Sequence, residues 1–236
     1  MSLLSQVQRG KEHLPPRLMV YGHEGVGKST LGNSAPSAIF IDAEAGLAQI
    51  DCARFPHAKT IDDVFAAVDE LRKADHKFKT VVLDTADAIE RLIHTSVCQR
   101  YGVKSIEKAG GGYGKGYVEA ANDFERLLAA LDALRLEKGM VIIFIAHAKV
   151  EKFFDPDAGA DYDRYSPRLH KTACALLKEW SDAVLFATRK MIIQKRDDDR
   201  NVATPVGAGG GARVLKTETD PACVAKNRYG MTAKSP

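Results

Sequence analysis

Long apolar runs, paired cysteine motifs and a strong net charge are all missing from this chain of 236 residues. No stretch approaches the roughly 20 apolar residues of a membrane span, and the N-terminus lacks the apolar segment of a signal peptide. We therefore expect a cytoplasmic protein with no membrane partner. Its apolar fraction of 45% and charged fraction of 28% are typical of a globular domain with its own core.

The four cysteines, at positions 52, 98, 174 and 223, are widely spaced and form no C-x-x-C pair. Such spacing argues against a zinc ribbon or a redox motif. The 34 basic and 31 acidic side chains leave a formal charge of +3, which neither requires nor excludes a nucleic-acid partner. Local patches must therefore decide whether nucleic acid is bound.

Short apolar strands alternate with amphipathic helices over the first two thirds of the chain. We expect strands at 17–21, 38–41, 80–83 and 140–146, and helix faces at 61–71 and 124–134. The alternation predicts an α/β fold, with a mostly parallel central sheet and helices on both faces. Antiparallel strands should extend this sheet near the C-terminus, at 183–187, 190–195, 213–218 and 223–226. We expect residues 1–16 to form an N-terminal arm and residues 17–236 one domain.

A glycine-rich loop follows the first strand and precedes a helix. It matches the pattern G-x-x-x-x-G-K-[ST] without a mismatch, and Thr30 comes next: Gly22-His23-Glu24-Gly25-Val26-Gly27-Lys28-Ser29. Glycines let the backbone curl so that successive N–H groups point at a phosphate. Lys28 is expected to reach the β- and γ-phosphates, and the Ser29 hydroxyl to bind Mg²⁺. The sequence therefore predicts that residues 22–30 bind ATP.

A metal held by Ser29 needs a carboxylate from a neighbouring strand. The segment Thr80-Val81-Val82-Leu83-Asp84 provides one, because four strand residues bring Asp84 to the carboxyl edge of the sheet. Ligands bind at that edge in open parallel sheets. We expect Asp84 to hold the Mg²⁺, through a water molecule.

Three further segments, in this order, resemble those of RecA recombinases. They are Phe40-Ile41-Asp42-Ala43-Glu44, the strand 141–146 with His147 at its end, and Val224-Ala225-Lys226-Asn227-Arg228-Tyr229-Gly230. The resemblance implies that Glu44 is the general base that orients the attacking water, with Asp42 as the rival carboxylate. It also implies that His147 stands where RecA has a glutamine that senses the γ-phosphate.

In RecA-like ATPases, the basic pair that Lys226 and Arg228 resemble reaches into the ATP site of a neighbouring subunit. The resemblance therefore implies a ring or filament whose hydrolysis is completed in trans. The chain from Arg17 to Tyr229 is similar to a minimal RecA core, and more narrowly to short phage-encoded RecA-like ATPases of the single-strand annealing type. ATP and Mg²⁺, single-stranded DNA and a single-strand-binding protein are the implied cofactors and partners, in the host cytoplasm if the protein is phage-encoded.

The segments that match the DNA loops of RecA-like proteins are 103–116 and 149–171. Both interleave cations with aromatic rings, which suits phosphates and bases of a single strand. The candidate DNA contacts are Lys108, Tyr113, Lys115, Lys152, Phe153, Phe154, Arg164 and Arg168.

Two other functions share this phosphate loop. One is a helicase-type ring or a P-loop ATPase that remodels proteins without recognising DNA. The other is a nucleotide or small-molecule kinase. The sequence argues against a kinase, because no arginine-rich lid follows the central strands. Glu44 also suits an attacking water better than an acceptor hydroxyl.

Overall fold

The computed structural model describes residues 3–7, 9–156, 159–195, 201–205 and 211–235. The helices are Lys28–Asn33 (α1), Ile61–Lys73 (α2), Ala86–Arg100 (α3), Lys115–Lys138 (α4) and Lys171–Trp180 (α5), with 3₁₀ turns at Leu3–Gln6 and Ile106–Gly111. The strands up to the last helix are Arg17–Gly22 (β1), Ala38–Asp42 (β2), Ala53–Arg54 (β3), Thr80–Asp84 (β4), Val141–Asp155 (β5) and Ala160–Pro167 (β6). Those after it are Ala183–Arg189 (β7), Met191–Lys195 (β8), Asn201–Pro205 (β9), Arg213–Lys216 (β10), Lys226–Asn227 (β11) and Lys234–Ser235 (β12).

One large sheet organises the molecule, in the strand order β12-β10-β7-β1-β5-β4-β2-β3. The strands from β7 to β3 in that order run parallel. β10 and β11 pair with β7 in the antiparallel sense, and β12 pairs with β10. This architecture confirms the predicted α/β fold with a mostly parallel sheet and antiparallel C-terminal strands. Two of the predicted antiparallel strands differ from the expectation. The strand expected at 183–187 is β7, which pairs with β1 in the parallel sense, and the strand expected at 190–195 is β8, which pairs with β9 in a separate two-stranded sheet.

The two faces of the sheet are covered unequally. One face carries alternate residues of the central strands, such as Tyr21 and Phe144, under α2, α3, α4 and α5. The opposite face carries Val20, Val82 and Ile145, and among the described residues its cover consists mainly of the short α1, the segment after β2 and Met231. Alternation of side chains along each strand supplies both cores. The thin cover leaves a cavity on this face beside the phosphate loop.

Local signals placed α2 correctly. Thr60 accepts a hydrogen bond from the Asp63 amide, and the Asp63 carboxylate accepts from the Thr60 amide, so these two residues form a capping box at the start of the helix. The helix buries Val64, Val68 and Leu71 against the sheet. No helix among the described residues is both long and apolar enough to span a bilayer.

The segment 149–171 is mostly a β-hairpin and not the loop that the resemblance implied. β5 continues past the sheet to Asp155 and returns as β6, so that Val150 faces Tyr165 and Phe153 faces Tyr162 across an antiparallel hairpin. Both faces of this hairpin are partly polar, and the apolar alternation that marks a strand in the sequence is therefore weak. The segment 103–116 likewise contains the 3₁₀ turn and the start of α4.

The end of the predicted arm is attached to the domain. The Pro16 carbonyl accepts a hydrogen bond from the Ile142 amide, and the Pro15 carbonyl accepts one from the Arg135 side chain. Residues 1, 2 and 8 of the predicted arm lie outside the described residues.

Candidate functional site

The phosphate loop begins where β1 ends and curls into α1. Gly22 leaves β1 beside β7, so closely that a Cβ on it would lie 2.1 Å from the Ala187 carbonyl oxygen. Gly25 and Gly27 have φ angles of +68° and +96°, which strongly favour glycine. The sequence pattern of glycines thus has a direct backbone cause, and it brings Lys28 and Ser29 to the carboxyl edge of the sheet.

Lys28 is held by its own loop. Its ammonium donates hydrogen bonds to the carbonyl oxygens of Gly22, at 3.2 Å, and His23, at 2.9 Å. Only 7% of the residue is exposed, and burial lowers the pKa of Lys28 below its ordinary value, opposed by the Asp84 and Glu44 carboxylates. A buried ammonium bonded only to neutral carbonyls is ready to bind an anion.

Ser29 and Asp84 lie in direct contact. The Ser29 hydroxyl donates to Asp84 Oδ2 over 2.7 Å. Burial raises the pKa of Asp84 to about 6, against the hydrogen bond from Ser29, and the carboxylates of Glu44 and Asp42 add to the rise. A hydroxyl and a carboxylate close to other negatively charged groups form an oxygen donor set that fits Mg²⁺. The ion takes its remaining ligands from phosphates and water.

Glu44 and Asp42 have different environments at the end of β2. Asp42 is buried, and its Oδ1 accepts the amide hydrogens of Glu44 and Ala45 at 3.0 and 2.8 Å. Asp42 therefore fixes the turn that follows the strand. The Glu44 side chain is 32% exposed and lies in the cleft with Lys28 and Asp84. Of the two rival carboxylates, Glu44 is the one that faces the cleft.

His147 ends the sheet portion of β5, opposite Gly22 in register. Its Nε2 lies 3.6 Å from Glu44 Oε1, and its Nδ1 lies 3.1 Å from Asp87 Oδ2. The Asp87 carboxylate also accepts the His147 amide. Although burial opposes ionisation, hydrogen bonds from His147 and Arg168 hold the pKa of Asp87 well below its usual range. An ionised Asp87 requires Nδ1–H, which leaves Nε2 directed towards Glu44.

Arg168 lies beside this network instead of on a free DNA-binding surface. Its guanidinium contacts Asp87 Oδ2 at 3.0 Å and Glu24 Oε1 at 3.8 Å, and its amide donates to the His147 carbonyl. It follows the β5–β6 hairpin directly. Arg168 therefore connects the hairpin to the phosphate loop and to the carboxylate that holds His147.

The predicted residues of the loop have separate roles. Val26 is buried in the core beneath α1, and the His23 ring packs edge-on against Tyr165, with 4.7 Å between ring centroids. Glu24 stays exposed. The cleft itself, of about 350 Å³, is lined mainly by Glu24, Gly25, Gly27, Lys28, Ser29, Thr30, Glu44, Asp84, His147 and Arg213.

Lys226 and Arg228 lie at the opposite, amino edge of the sheet. Lys226 is paired with Val184 near the start of β7, and its ammonium donates to the carbonyls of Lys178, Glu179 and Ser181 at the end of α5. Arg228 contacts Asp182 at 3.4 Å. The structure does not bring this pair into the cleft of its own chain.

The candidate DNA contacts fall into engaged and exposed groups. Arg164 stacks over the Phe153 ring at 3.7 Å and contacts Glu151, so both candidates are occupied within the hairpin. Tyr113 and Phe154 are exposed, at 102% and 59%. Lys108, Lys115 and Lys152 are exposed too. Exposed acidic side chains, Asp161 and Asp163, lie opposite Phe154 and Lys152 on the hairpin.

Sequence reasoning missed Asp87 and Arg213. Asp87 follows Asp84 by three residues, and its place in the first turn of α3 was a signal that it faces the same edge. Arg213 gave no local signal, because it reaches Gly27 only when β10 adds to β7, far along the chain.

A family model described as "AAA domain" (AAA_24) matches residues 14–229 of the chain. The chain is also similar to the "SPbeta prophage-derived uncharacterized protein YorG" of Bacillus subtilis (strain 168), with 26% identity over 192 residues. The similar region covers 78% of this chain and 53% of that relative, so the chain spans about half of the relative's length.

Proposed function

The chain belongs to the AAA_24 family of AAA domains, and on that premise we propose that it hydrolyses Mg²⁺–ATP and acts on single-stranded DNA in phage recombination or replication. The observation that supports hydrolysis best is the convergence of Lys28, Ser29, Glu44, Asp84 and His147 on one cleft. These residues come from the ends of β1, β2, β4 and β5.

Binding is assigned to the phosphate loop. Backbone N–H groups of the loop and the Lys28 ammonium bind the phosphates, and a bound nucleotide takes over the hydrogen bonds that Lys28 now donates to the Gly22 and His23 carbonyls. Ser29 and Asp84 hold Mg²⁺, which neutralises phosphate charge when it is bound. The positive charge of the bound Mg²⁺ would also keep Asp84 ionised, although burial raises the pKa of this carboxyl group.

Glu44 orients the attacking water and accepts its proton. His147 Nε2, fixed by the contact of Nδ1 with Asp87, faces the Glu44 carboxylate and can hold the same water or stabilise the carboxylate's position. Asp87 is a positioning residue, since it acts on the water only through His147. The exposed position of Glu44 allows it to adjust when a nucleotide enters.

The proposal extends to DNA through β5. This strand bears His147 at the cleft and Phe154 near the tip of the hairpin, so one continuous strand connects the nucleotide cleft to the hairpin. Exposed Phe154 and Lys152 offer a ring for a base and a cation for a phosphate. The name of the similar Bacillus protein gives it a prophage origin, and this origin supports a phage role.

Hydrolysis is tested by measuring phosphate release from ATP with and without Mg²⁺, for the wild-type chain and Lys28→Ala. We expect Mg²⁺-dependent release that Lys28→Ala reduces at least about 100-fold, because a charge-assisted contact worth about 3 kcal/mol is lost. Equal release by both proteins would refute the assignment.

Binding of single-stranded DNA is tested with separate variants. Lys152→Ala with Phe154→Ala should weaken binding of a fluorescent single-stranded oligonucleotide about tenfold and lower its salt dependence. The matched control replaces an exposed cation and an exposed apolar residue elsewhere, Lys77→Ala with Leu136→Ala. Equal affinity of both double variants, or no stimulation of ATP turnover by DNA, would favour a protein partner for the hairpin, whose exposed Val150 and Phe154 lie near acidic side chains.

Completion of the site in trans by Lys226 and Arg228 of another copy is the alternative arrangement within this proposal. It requires the contacts with Asp182 and the end of α5 to break. ATP turnover of Arg228→Ala separates the two arrangements.

A further inference from the structure

Arg213 is an exposed cation beside the phosphate loop, and it lies outside the motifs of the sequence. It is the first residue of β10, opposite Arg189 at the end of β7. A Cβ on Gly27 would lie 2.6 Å from Arg213 Nη1, so the guanidinium sits directly over the bare backbone of the loop. Among the described residues, the Arg213 side chain has no hydrogen bond and no ion pair.

The side chains that line the cleft include more acidic groups than basic ones. Glu24, Glu44 and Asp84 line it, against Lys28 and Arg213. Lys28 is buried and tied to its loop, so Arg213 is the cation that is free to move onto a ligand. Arginine binds phosphate oxygens through two parallel N–H donors, a geometry that one ammonium does not offer.

A second cavity, of about 240 Å³, adjoins the cleft on the far side of Arg213. The two cavities share Gly27, Lys28, Thr30 and Arg213 in their linings. The rest of this slot is mainly apolar, with contributions from Val26, Leu31, Ala187, Val214 and Leu215. It lies between α1 and the antiparallel strand β10, on the thinly covered face of the sheet.

We propose that Arg213 binds the phosphates of a nucleoside triphosphate from the side opposite Mg²⁺, and that the adjoining apolar slot receives the base and ribose. The proposal rests on the proposed function, because it concerns the same nucleotide. The nucleotide thereby joins the C-terminal antiparallel strands to the phosphate loop. Apolar walls suit a base that binds through its ring faces.

The test measures dissociation constants of the full chain for Mg²⁺–ATP and for Mg²⁺–tripolyphosphate. Arg213→Ala should weaken both ligands about 10- to 100-fold, the range expected for a lost charge-assisted contact. Arg213→Lys should recover part of the affinity. Arg126→Ala removes an equally charged, exposed side chain from α4, on the opposite face of the sheet, and should leave both constants within about twofold.

Leu31→Trp tests the slot separately. Leu31 is 39% exposed at the slot, so a larger ring can fill the space without entering the core. We expect ATP binding to weaken about tenfold and tripolyphosphate binding to stay within about twofold, because only the nucleoside is displaced. Equal weakening of both ligands would overturn the slot assignment.

Failure of this inference can be told from failure of the proposed function. If the wild type binds ATP, Lys28→Ala does not and Arg213→Ala binds as the wild type does, Arg213 is not a ligand and the ATPase assignment stands. If the wild type and Lys28→Ala bind ATP equally weakly, both proposals are overturned. Thermal unfolding of each variant shows that it is folded.

Discussion

The two edges of the sheet handle charge in opposite ways. At the amino edge, Asp182 gathers Arg17, Arg135 and Arg228 around one carboxylate, and Lys226 is bonded to three carbonyls. At the carboxyl edge, three carboxylates face one cleft, Lys28 bonds only neutral oxygens, and Arg213 has no partner among the described residues. Charges that satisfy one another stabilise the fold, whereas charges left incomplete mark the place where a ligand completes them.

The largest effect is expected at the carboxyl edge, where Glu44→Gln should lower ATP turnover. The amide keeps the shape of the side chain but accepts no proton, so we expect ATP turnover to fall about 10³-fold with the affinity for ATP retained. Phosphate release and equilibrium binding measure the two effects. Glu125→Gln, on the exposed side of α4, is the matched control, and turnover of both variants near the wild-type rate would exclude Glu44 as the base.

At the amino edge, Asp182→Ala should lower the stability of the fold without affecting nucleotide binding. Removing this nearly buried carboxylate breaks its ion pairs with three arginines, so we expect the free energy of unfolding to fall by about 3 kcal/mol. Chemical denaturation measures it. Asp69→Ala, which breaks only an exposed pair with Lys73, should lower stability by less than about 1 kcal/mol. A large loss of ATP affinity in Asp182→Ala would mean that the two edges are coupled.

Glu90 is a buried carboxyl group on α3, outside the cleft, and provides a further comparison. Burial raises the pKa of Glu90 to about 7, against a hydrogen bond from the His170 amide. Because the folded state binds this proton more tightly, Glu90 should lower wild-type stability as the pH rises from about 4.5 through 7 and above. Glu90→Gln removes this loss, and at pH 8 it should be more stable by on the order of 2 kcal/mol.

Denaturation of wild type and Glu90→Gln across this pH range checks the sign. Parallel stability curves would show that Glu90 is ionised in the folded protein at little cost.

Arg228→Ala should have the smallest effect. Its guanidinium is half exposed and makes one contact with Asp182, so we expect a loss of stability of less than about 1 kcal/mol and unchanged ATP turnover. As a finger in a neighbouring site, the same residue would support turnover by about 10³-fold. Turnover measured at high protein concentration distinguishes these outcomes, and a large loss there would establish the arrangement in trans.

Sequence and structure agree where a feature is local. The phosphate loop follows from its glycines, and the placement of Asp84 follows from counting residues along β4. The contact between His147 and Asp87 and the approach of Arg213 to Gly27 depend on register between strands, which no single segment encodes. The β5–β6 hairpin escaped prediction because its exposed positions, among them Val150, Lys152 and Phe154, mix apolar and charged residues.

The most direct test of the account is the dissociation constant of Mg²⁺–ATP for wild type and Lys28→Ala, measured beside thermal unfolding. Burial lowers the pKa of Lys28, so its removal relieves an unfavourable desolvation and should leave the melting temperature unchanged or higher. We predict tight binding by the wild type and a loss of at least about 100-fold in the variant. Equal affinities in two folded proteins would contradict the claim that residues 22–29 form a phosphate site.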